Sequence, residues 1–285
     1  MTTAIVSGSL LDAPGPARTA RWWSVAAAFI RRDAATAFSY RMPFVIGLVQ
    51  SFFSLGFLYF LGRLIGPRIS TVATRGSYFE FAVVGSVLLV VLSSTLVSMA
   101  QRLRSDQSTG TLEVLFTMPY RPSLTVLASS AYQVLYATAT AVVTLAIAVG
   151  LGLRFHISPL GGLVAVGCFV FATGLFVALG VAFAAYVLVF KRGETLTSLA
   201  MTGVSLIGGV YYPLSLLPHA LRVFAEVVPF TWVVGVLRQS LLYGQVPAFR
   251  LLELAASDAV AVPVALALFA AALRHAQRRG TLGQY

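Results

Sequence analysis

The sequence predicts an all-α integral membrane protein with six transmembrane helices. Of its 285 residues, 58% are hydrophobic and only 10% are charged, whereas a soluble domain usually carries about 25% charged residues. A helix needs roughly 20 mostly apolar residues to cross the hydrocarbon core of a bilayer. Runs of about this length, each with at most one charged residue, lie at about residues 44–65, 79–101, 124–150, 162–190, 195–213 and 254–273.

Basic residues predict the orientation of the chain, because cytoplasmic loops are enriched in Lys and Arg. With six spans both ends lie on one side, and that side holds 13 of the 20 basic residues. Both termini are therefore predicted to be cytoplasmic. The net charge of +11 would suggest nucleic-acid binding in a soluble protein. In a membrane protein loop charge accounts for it, and no nucleic-acid partner is expected.

The segment before the first span is predicted to be a tail followed by an interfacial helix. Residues 1–20 have no basic residue before the apolar stretch Ile5–Leu11, so they lack the signal-peptide pattern and are expected to form a mobile tail. In Arg21–Met42, apolar residues including Trp22 and Phe29 share one helical face, opposite the arginines. This pattern is typical of a helix in the headgroup region of the membrane. A cytoplasmic helix packed on other protein is the alternative.

The cytoplasmic loop 102–122 is predicted to contain a short helix parallel to the membrane. Gly110 can cap its start, and Glu113, three residues later, fits the pattern of a capping box. The apolar face of this helix would consist of Leu112, Leu115 and Phe116. Pro119 then ends the helix. Because a helix of about two turns is not stable alone, we expect it to be held by the bundle or by a partner protein.

Residues 213–253 follow the fifth span and are predicted to form re-entrant or interfacial half-helices on the outer side. The apolar segment Val227–Leu237 is too short to cross the membrane and contains Pro229. Leu214–Ala225 would form the descending half that precedes it. The aromatic residues of this region are Tyr211, Tyr212, Phe230, Trp232 and Tyr243. Aromatic belts are common at membrane interfaces, so they do not identify a substrate path.

Sequence signatures of catalysis are absent from this chain. No GxxxxGK[ST] occurs, and the only lysine, Lys191, is followed by Arg-Gly-Glu, so the chain is not expected to hydrolyse nucleotide by itself. No HExxH or GxSxG pattern is present, and the only cysteine is Cys168. The histidines are scattered at His156, His219 and His275. We therefore predict no catalytic, cofactor-binding or metal-binding residue here.

Two observations disfavour a proton-coupled secondary transporter. Glu80 and Asp258 lie near the predicted outer ends of spans two and six, where a solvated or helix-capping role is expected rather than proton transfer. The segments before and after residue 143 do not match in length or motif, although many secondary transporters are built from internal repeats.

Three stretches, in this order, resemble the membrane-spanning permease subunits of ABC-2 type ABC transporters. Gly110-Thr111-Leu112-Glu113-Val114-Leu115, followed by Met118-Pro119, resembles the cytoplasmic coupling helix of that family. The run GGVYYPLSLLP at 208–218 is similar to the end of its fifth span and the start of its outer loop. Val228-Pro229-Phe230-Thr231, with Arg238, is similar to the segment that follows. The resemblance covers nearly the whole chain, so residues 21–285 are taken as a single transmembrane domain.

The resemblance implies a bacterial inner-membrane exporter of drugs, lipids or polysaccharides. Two permease chains would form the pathway, and two copies of a separate subunit would bind ATP and Mg²⁺, which leaves no cofactor on this chain. By this resemblance, the residues that contact the ATPase are Gly110, Thr111, Leu112, Glu113, Leu115 and Phe116. The residues of an outer gate are Tyr211, Tyr212, Pro213, Pro218, Pro229, Phe230 and Arg238.

Three other classes of function stay open at this point. An autonomous secondary transporter or channel would work without an ATPase partner, and a permease-like scaffold would not transport at all. An intramembrane enzyme would need a nucleophile with a base, or a metal site, and the sequence presents neither.

Overall fold

Every regular element is helical in the computed structural model, which describes residues 27, 30–32, 42–73, 77–108, 122–190 and 194–278. The helices of this part of the chain are α1 (Met42–Ala73), α2 (Tyr78–Ser108), α3 (Pro122–Gly150), α4 (Pro159–Phe190), α5 (Glu194–Ile207), α6 (His219–Val227), α7 (Pro229–Leu242) and α8 (Ala248–Arg278). A short 3₁₀ turn, Leu214–Leu216, lies between α5 and α6. The predicted all-α class is confirmed.

Helix α4 is the centre of the bundle and packs against α2, α3, α7 and α8. It carries no charged residue and is apolar around its whole circumference, which is the pattern of a helix with neighbours on several sides. One core cluster joins α2, α4 and α7, where the rings of Phe176 and Phe230 stack with centroids 5.9 Å apart. A second cluster joins the later halves of α4 and α8 around Phe269.

The start of α4 is fixed by its local sequence. Ser158 precedes the helix and accepts a hydrogen bond on Oγ from the backbone N–H of Gly161 at 3.0 Å, as a serine N-cap does. Pro159 is the first helical residue, where its missing N–H costs nothing. A Cβ on Gly161 would lie 2.9 Å from Ser158 Oγ and 3.2 Å from the carbonyl oxygen of Ser240. A residue without a side chain therefore lets α4 approach α7 closely.

Glu80 caps the start of α2. Its carboxylate accepts hydrogen bonds from the backbone N–H of Ser77 at 3.3 Å and from that of Arg154 at 3.4 Å. A glutamate in the first turn that accepts from the N-cap residue is one half of a capping box. The capping role predicted for Glu80 is therefore confirmed.

Five described helices are long and apolar enough to cross a membrane, and the count rises to six if α6 and α7 together make one broken span. The fifth predicted span, 195–213, requires a correction. The described part of α5 has 14 residues and ends at Ile207, six residues before the predicted end; at about 1.5 Å per residue, these 14 residues are shorter than a hydrocarbon core of about 30 Å. The glycines that end it, Gly208 and Gly209, are apolar in a hydropathy sum but do not continue the helix.

Several sequence predictions lie wholly or largely outside the described residues. They include the tail at 1–20, most of the interfacial helix Arg21–Met42 and the whole coupling helix at 110–116. Ala27 and Ile30–Arg32 are described and are helical. Among them Ile30 is half-buried while Arg31 and Arg32 are exposed, which agrees with the predicted apolar and basic faces.

Candidate functional site at the loop end of the bundle

Three connecting segments, 150–158, 208–218 and 243–247, meet at one end of the bundle, which we call the loop end. The backbone N–H of His156 donates to the carbonyl oxygen of Leu241 at 3.0 Å. The hydroxyl of Ser158 donates to the carbonyl oxygen of Gly244 at 3.2 Å. These bonds fix the turn before α4 against the turn after α7.

The segment 208–218 begins where α5 is ended by two glycines. The N–H of Gly208 makes the last bond of the helix, to the carbonyl oxygen of Val204 at 2.7 Å. Gly209 has φ +67°, the left-handed conformation that glycine adopts at helix C-termini without steric cost. Because α5 stops there, the carbonyl groups of Gly209 and Val210 have no later helical N–H to bind. They need donors from another element.

Arg238 on α7 supplies those donors. Its side chain is 7% exposed; Nη1 donates to the carbonyl oxygen of Gly209 at 2.7 Å, and Nη2 donates to that of Val210 at 2.8 Å. Nε and Nη2 also donate to the carbonyl oxygen of Phe81, at 3.1 and 2.8 Å. Phe81 lies in the first turn of α2, so one side chain joins α2, α7 and the segment after α5. We call this arrangement the Arg238 anchor.

The electrostatics of the anchor favour a guanidinium. Arginine has five donors in a planar fork and stays protonated in proteins. The carbonyl oxygens that it binds at Gly209 and Val210 follow the C-terminus of α5, where the helix dipole places negative charge. The guanidinium carbon also lies 3.4 Å from the centroid of the Phe81 ring, which adds a cation–π contact. The buried charge is thus stabilised by dipoles and by a ring.

Gly85 makes the anchor sterically possible. A Cβ at this position would lie 2.6 Å from Nη2 of Arg238 and 2.7 Å from the carbonyl oxygen of Val210. Both distances are shorter than van der Waals contact, so an alanine would displace the guanidinium or the 208–218 segment.

The helices α6 and α7 form a bent pair that meets at 83°. Pro229 is the first residue of α7, where its ring fits the start of a new helix but not the continuation of α6. The indole N–H of Trp232 donates to the carbonyl oxygen of Glu226 at 2.6 Å, and this bond crosses the bend. The predicted half-helices are therefore present as two helices, and α6 exposes much of its apolar surface, including Leu221, Val223 and Phe224.

The residues predicted for an outer gate lie in one region, but they do not share one environment. Phe230 and Arg238 are buried in the bundle, whereas Tyr211 is 37% exposed. The hydroxyl of Tyr212 donates to the carbonyl oxygen of Leu206. Pro213 precedes the 3₁₀ turn and Pro218 precedes α6. The buried pair holds the region in place, and Tyr211 lies at its surface.

Sequence reasoning missed the residues on which Arg238 and Phe230 depend. Phe81 and Gly85 stand in the apolar run of α2, and Phe176 stands in that of α4. A glycine inside a span can mark the close approach of another backbone, which is a signal that Gly85 carries. The partner of Phe81 is 157 residues away in the chain, and no local pattern specifies it.

The position predicted for Asp258 also requires a correction. The sequence places it near the outer end of span six, in a solvated or capping role. The structure begins α8 at Ala248 and places the Asp258 carboxylate against Gly174, in the middle of α4. Its Oδ1 atom is buried, and no partner among the described residues reaches it. The helix extends beyond the apolar run because Phe249, Leu251 and Leu252 continue its pattern despite the exposed pair Arg250–Glu253.

These features define a multi-pass, all-α membrane protein with an unwound segment held by a buried arginine at one end. The ABC-2 type transporter family matches residues 21–242, which is more than half of the chain. The chain therefore belongs to the ABC-2 type transporter family and is an ABC-type permease, a membrane transport component that is not itself catalytic. None of the curated proteins compared with the chain matches it.

Proposed function

We propose that this chain is the membrane-spanning subunit of an ATP-driven exporter in the inner membrane of a bacterium. Two copies form the pathway, and two copies of a separate subunit bind ATP and Mg²⁺. Membership of the ABC-2 type transporter family supports transport by this chain. The loop end faces the outside and both termini face the cytoplasm, which agrees with the larger number of basic residues on the cytoplasmic side.

The observation that carries the proposed mechanism is the position of α2. This helix runs without interruption from Tyr78 to Ser108, about 45 Å at 1.5 Å per residue. Its first turn is bound by the Arg238 anchor. Its other end leads directly into residues 110–116, the proposed coupling helix. One rigid helix therefore connects the place where an ATPase would push with the place where the pathway would open.

Closure of the ATPase dimer on ATP would move the coupling helix, and α2 would carry that movement to the loop end. The anchor joins α2 to the 208–218 segment and to α7, so these elements would move together as a rigid body. The segment 208–218 and the bent pair α6–α7 would then act as the outer gate. Tyr211 and Phe224 are exposed aromatic residues of this gate.

The coupling step is tested with Glu113→Gln and Leu115→Ala in the chain co-expressed with its ATPase. Both variants should insert in the membrane normally but stimulate ATP hydrolysis less, because they remove a carboxylate and an apolar contact from the docking helix. Glu253→Gln is the matched control, since Glu253 lies at the other end of the bundle in a pair with Arg250. Normal assembly and normal stimulation by both coupling variants would refute the assignment of this helix.

The composition of the complex is tested by native mass spectrometry in mild detergent, on protein purified from its own membranes. We expect two copies of this chain with two copies of a nucleotide-binding subunit. An oligomer of this chain alone, under conditions that preserve a known ABC complex, would contradict the proposal.

The mid-span carboxylate of Asp258 favours one alternative, a secondary transporter or channel that works without an ATPase. Ionisable residues inside spans commonly mark ion or proton pathways. The two mechanisms differ in their energy source: transport by the proposed exporter should stop when ATP is depleted and continue when the proton gradient is collapsed. The opposite result would favour the autonomous transporter.

A further inference from the structure

Asp258 contributes a carboxylate oxygen to a small set of buried side-chain oxygens that have no hydrogen-bond partner. Among the described residues, the buried side-chain oxygens that no donor reaches are Thr231 Oγ1, Ser240 Oγ and Asp258 Oδ1. An unpaired hydroxyl costs little compared with an unpaired carboxylate in a low-dielectric environment. Asp258 as a whole is half-buried, but a donor or a positive charge beside its buried oxygen would lower the cost of that burial.

The neighbouring helices do not supply that charge. Asp258 lies on the face of α8 that carries the buried residues Leu254, Ala265 and Phe269, and this face packs on α4. Helices α4 and α3 contain no charged residue, and the charged residue of α7, Arg238, is bound by backbone carbonyls at the loop end. On α8 itself, Arg250 pairs with Glu253 at 2.9 Å, and Arg274 lies more than four turns away.

The depth of Asp258 follows from its contact with α4. A Cβ on Gly174 would lie 2.4 Å from Oδ2 of Asp258, so the carboxylate occupies the notch that this glycine leaves. Gly174 is in the middle of α4, the longest apolar helix of the bundle. One turn away on the same face of α4, Val170 is 61% exposed, so the notch lies near the chain's surface. The carboxylate thus lies about halfway along α4, next to an uncovered apolar surface.

One turn after Asp258, a proline adds a second acceptor at the same depth. Pro263 lies inside α8 and has no N–H to give to the carbonyl oxygen of Ala259. The hydroxyls next to these residues in the chain, on Thr173 and Ser257, donate to carbonyl oxygens of their own helices. An inorganic cation such as Na⁺ or Ca²⁺ needs about six or more oxygen ligands, whereas an organic cation needs one counter-charge and an apolar surface.

We propose that Asp258, in the notch formed by Gly174, is the anionic contact for a lipophilic organic cation carried by this permease. The proposal rests on the proposed transport function and adds a substrate class to it. The carboxylate would bind the positive charge about halfway along α4, and the exposed apolar residues of α4 beside the notch would contact the hydrophobic part of the molecule.

The test measures equilibrium binding of tetraphenylphosphonium to the purified full chain in lipid nanodiscs without ATP. The wild type should bind it saturably. Asp258→Asn should weaken binding by about tenfold or more, which is the effect of losing one charge-assisted contact, and Asp258→Glu should retain most of the affinity. Triphenylphosphine oxide, which has similar rings and no net charge, should bind the wild type and Asp258→Asn equally. Glu253→Gln, which removes a carboxylate of the same helix that is 33% exposed and paired with Arg250, is the control and should change nothing.

A second variant tests the geometry of the notch. Gly174→Ala should also weaken tetraphenylphosphonium binding, because its methyl group displaces the carboxylate. Gly56→Ala, where a Cβ meets nothing within 4 Å, should not. Asp258→Asn should fold and melt at the same temperature as the wild type or higher, because an unpaired buried charge does not stabilise the chain.

The outcomes separate this inference from the proposed function. Equal binding of tetraphenylphosphonium by the wild type and Asp258→Asn, or no saturable binding by the wild type, would overturn the cation site even if ATP-driven export of another substrate were found. Loss of folding in Asp258→Asn would also overturn it, since the carboxylate would then have a partner within the protein. If binding depends on Asp258 but native mass spectrometry finds this chain without a nucleotide-binding subunit, the cation site stands and the exporter is refuted.

Discussion

At the scale of single residues, Arg238 illustrates how a charge is kept inside an apolar bundle. Its partners are backbone carbonyls of Phe81, Gly209 and Val210, not a carboxylate. Two of these carbonyls are free because a helix has ended beside them, so the cation and the broken helix stabilise each other. Neither would be expected alone in an apolar environment.

Replacing Arg238 by methionine should therefore destabilise the protein strongly. The variant leaves the carbonyl groups of Gly209 and Val210 without their donor, at a cost of about 2–5 kcal/mol in total. Thermal unfolding in detergent should show a clearly lower melting temperature. Arg222→Met is the control, since Arg222 is about half exposed and pairs with Glu226 at the surface; its effect should be within about 0.5 kcal/mol. Equal melting of both variants would contradict the anchor.

Gly85 offers an independent check of the same site. Gly85→Ala places a methyl group within 2.7 Å of Nη2 of Arg238 and of the carbonyl oxygen of Val210, and such overpacking typically costs about 1–3 kcal/mol. Gly56→Ala on α1 meets nothing within 4 Å and should be neutral or slightly stabilising, because alanine favours helix more than glycine does. The comparison is made by thermal unfolding, and a neutral Gly85→Ala would show that the guanidinium is not held where the structure places it.

At the scale of elements, the short helix α5 and the bent pair α6–α7 distinguish this bundle from one built only of long, continuous transmembrane helices. Non-helical backbone at membrane depth is tolerated where it is buried in protein. Gly208, Gly209 and Val210 meet this condition because they are buried, and Arg238 satisfies the carbonyls of the last two. The end of α5 and the start of the proposed gate are thus one structural unit with the anchor.

The left-handed turn at Gly209 is the element-scale test. Gly209→Ala should lower the free energy of unfolding by about 1–2 kcal/mol, because a Cβ is strained at φ +67°. The distance between α5 and α6 should also change, since this turn joins them. Gly203→Ala, inside the same α5 with nothing within 4 Å of its added Cβ, separates a turn effect from a general glycine effect. Thermal unfolding and spin-label distances between α5 and α6 provide the readouts. Indistinguishable variants would rule out a special role for this turn.

At the scale of the whole molecule, α1 is the least covered of the five described spans. The apolar window of α1 is 11% buried, against 67% for that of α2. Phe53, Phe57, Phe60 and Leu64 are each at least 66% exposed. This surface is suited to lipid or to a second copy of the chain, which agrees with the proposed pair of permeases.

The orientation of the molecule is tested by cysteine labelling in intact cells. Cys168 is the only cysteine and is buried, so a Cys168→Ala background has no thiol. In it, Ser215→Cys at the loop end should react with a membrane-impermeant maleimide added outside, whereas Arg278→Cys at the end of α8 should react only after permeabilisation. Labelling of both after permeabilisation is the control for accessibility. The reverse pattern would invert the topology.

The sequence predicted the long helices well because hydropathy and proline or glycine positions act locally. The apolar runs that became α1, α2, α3, α4 and α8 are long enough to cross a membrane. The start of α4 is likewise specified locally, by Ser158 and Pro159. The fifth span was predicted to end at 213, because its apolar composition does not show that the helix ends at Ile207. Residues 110–116 lie outside the described chain, so the coupling helix stays a prediction.

By itself, the sequence determined that this protein is an all-α membrane protein, where most of its helices lie and which family it resembles, because each of these depends on residues close together in the chain. The tertiary structure alone decided what Arg238 and Asp258 do. One is paired with carbonyls far away in sequence and the other lies against Gly174 on a different helix. Whether a buried charge has a partner depends on which helices pack together, and local composition does not contain that information.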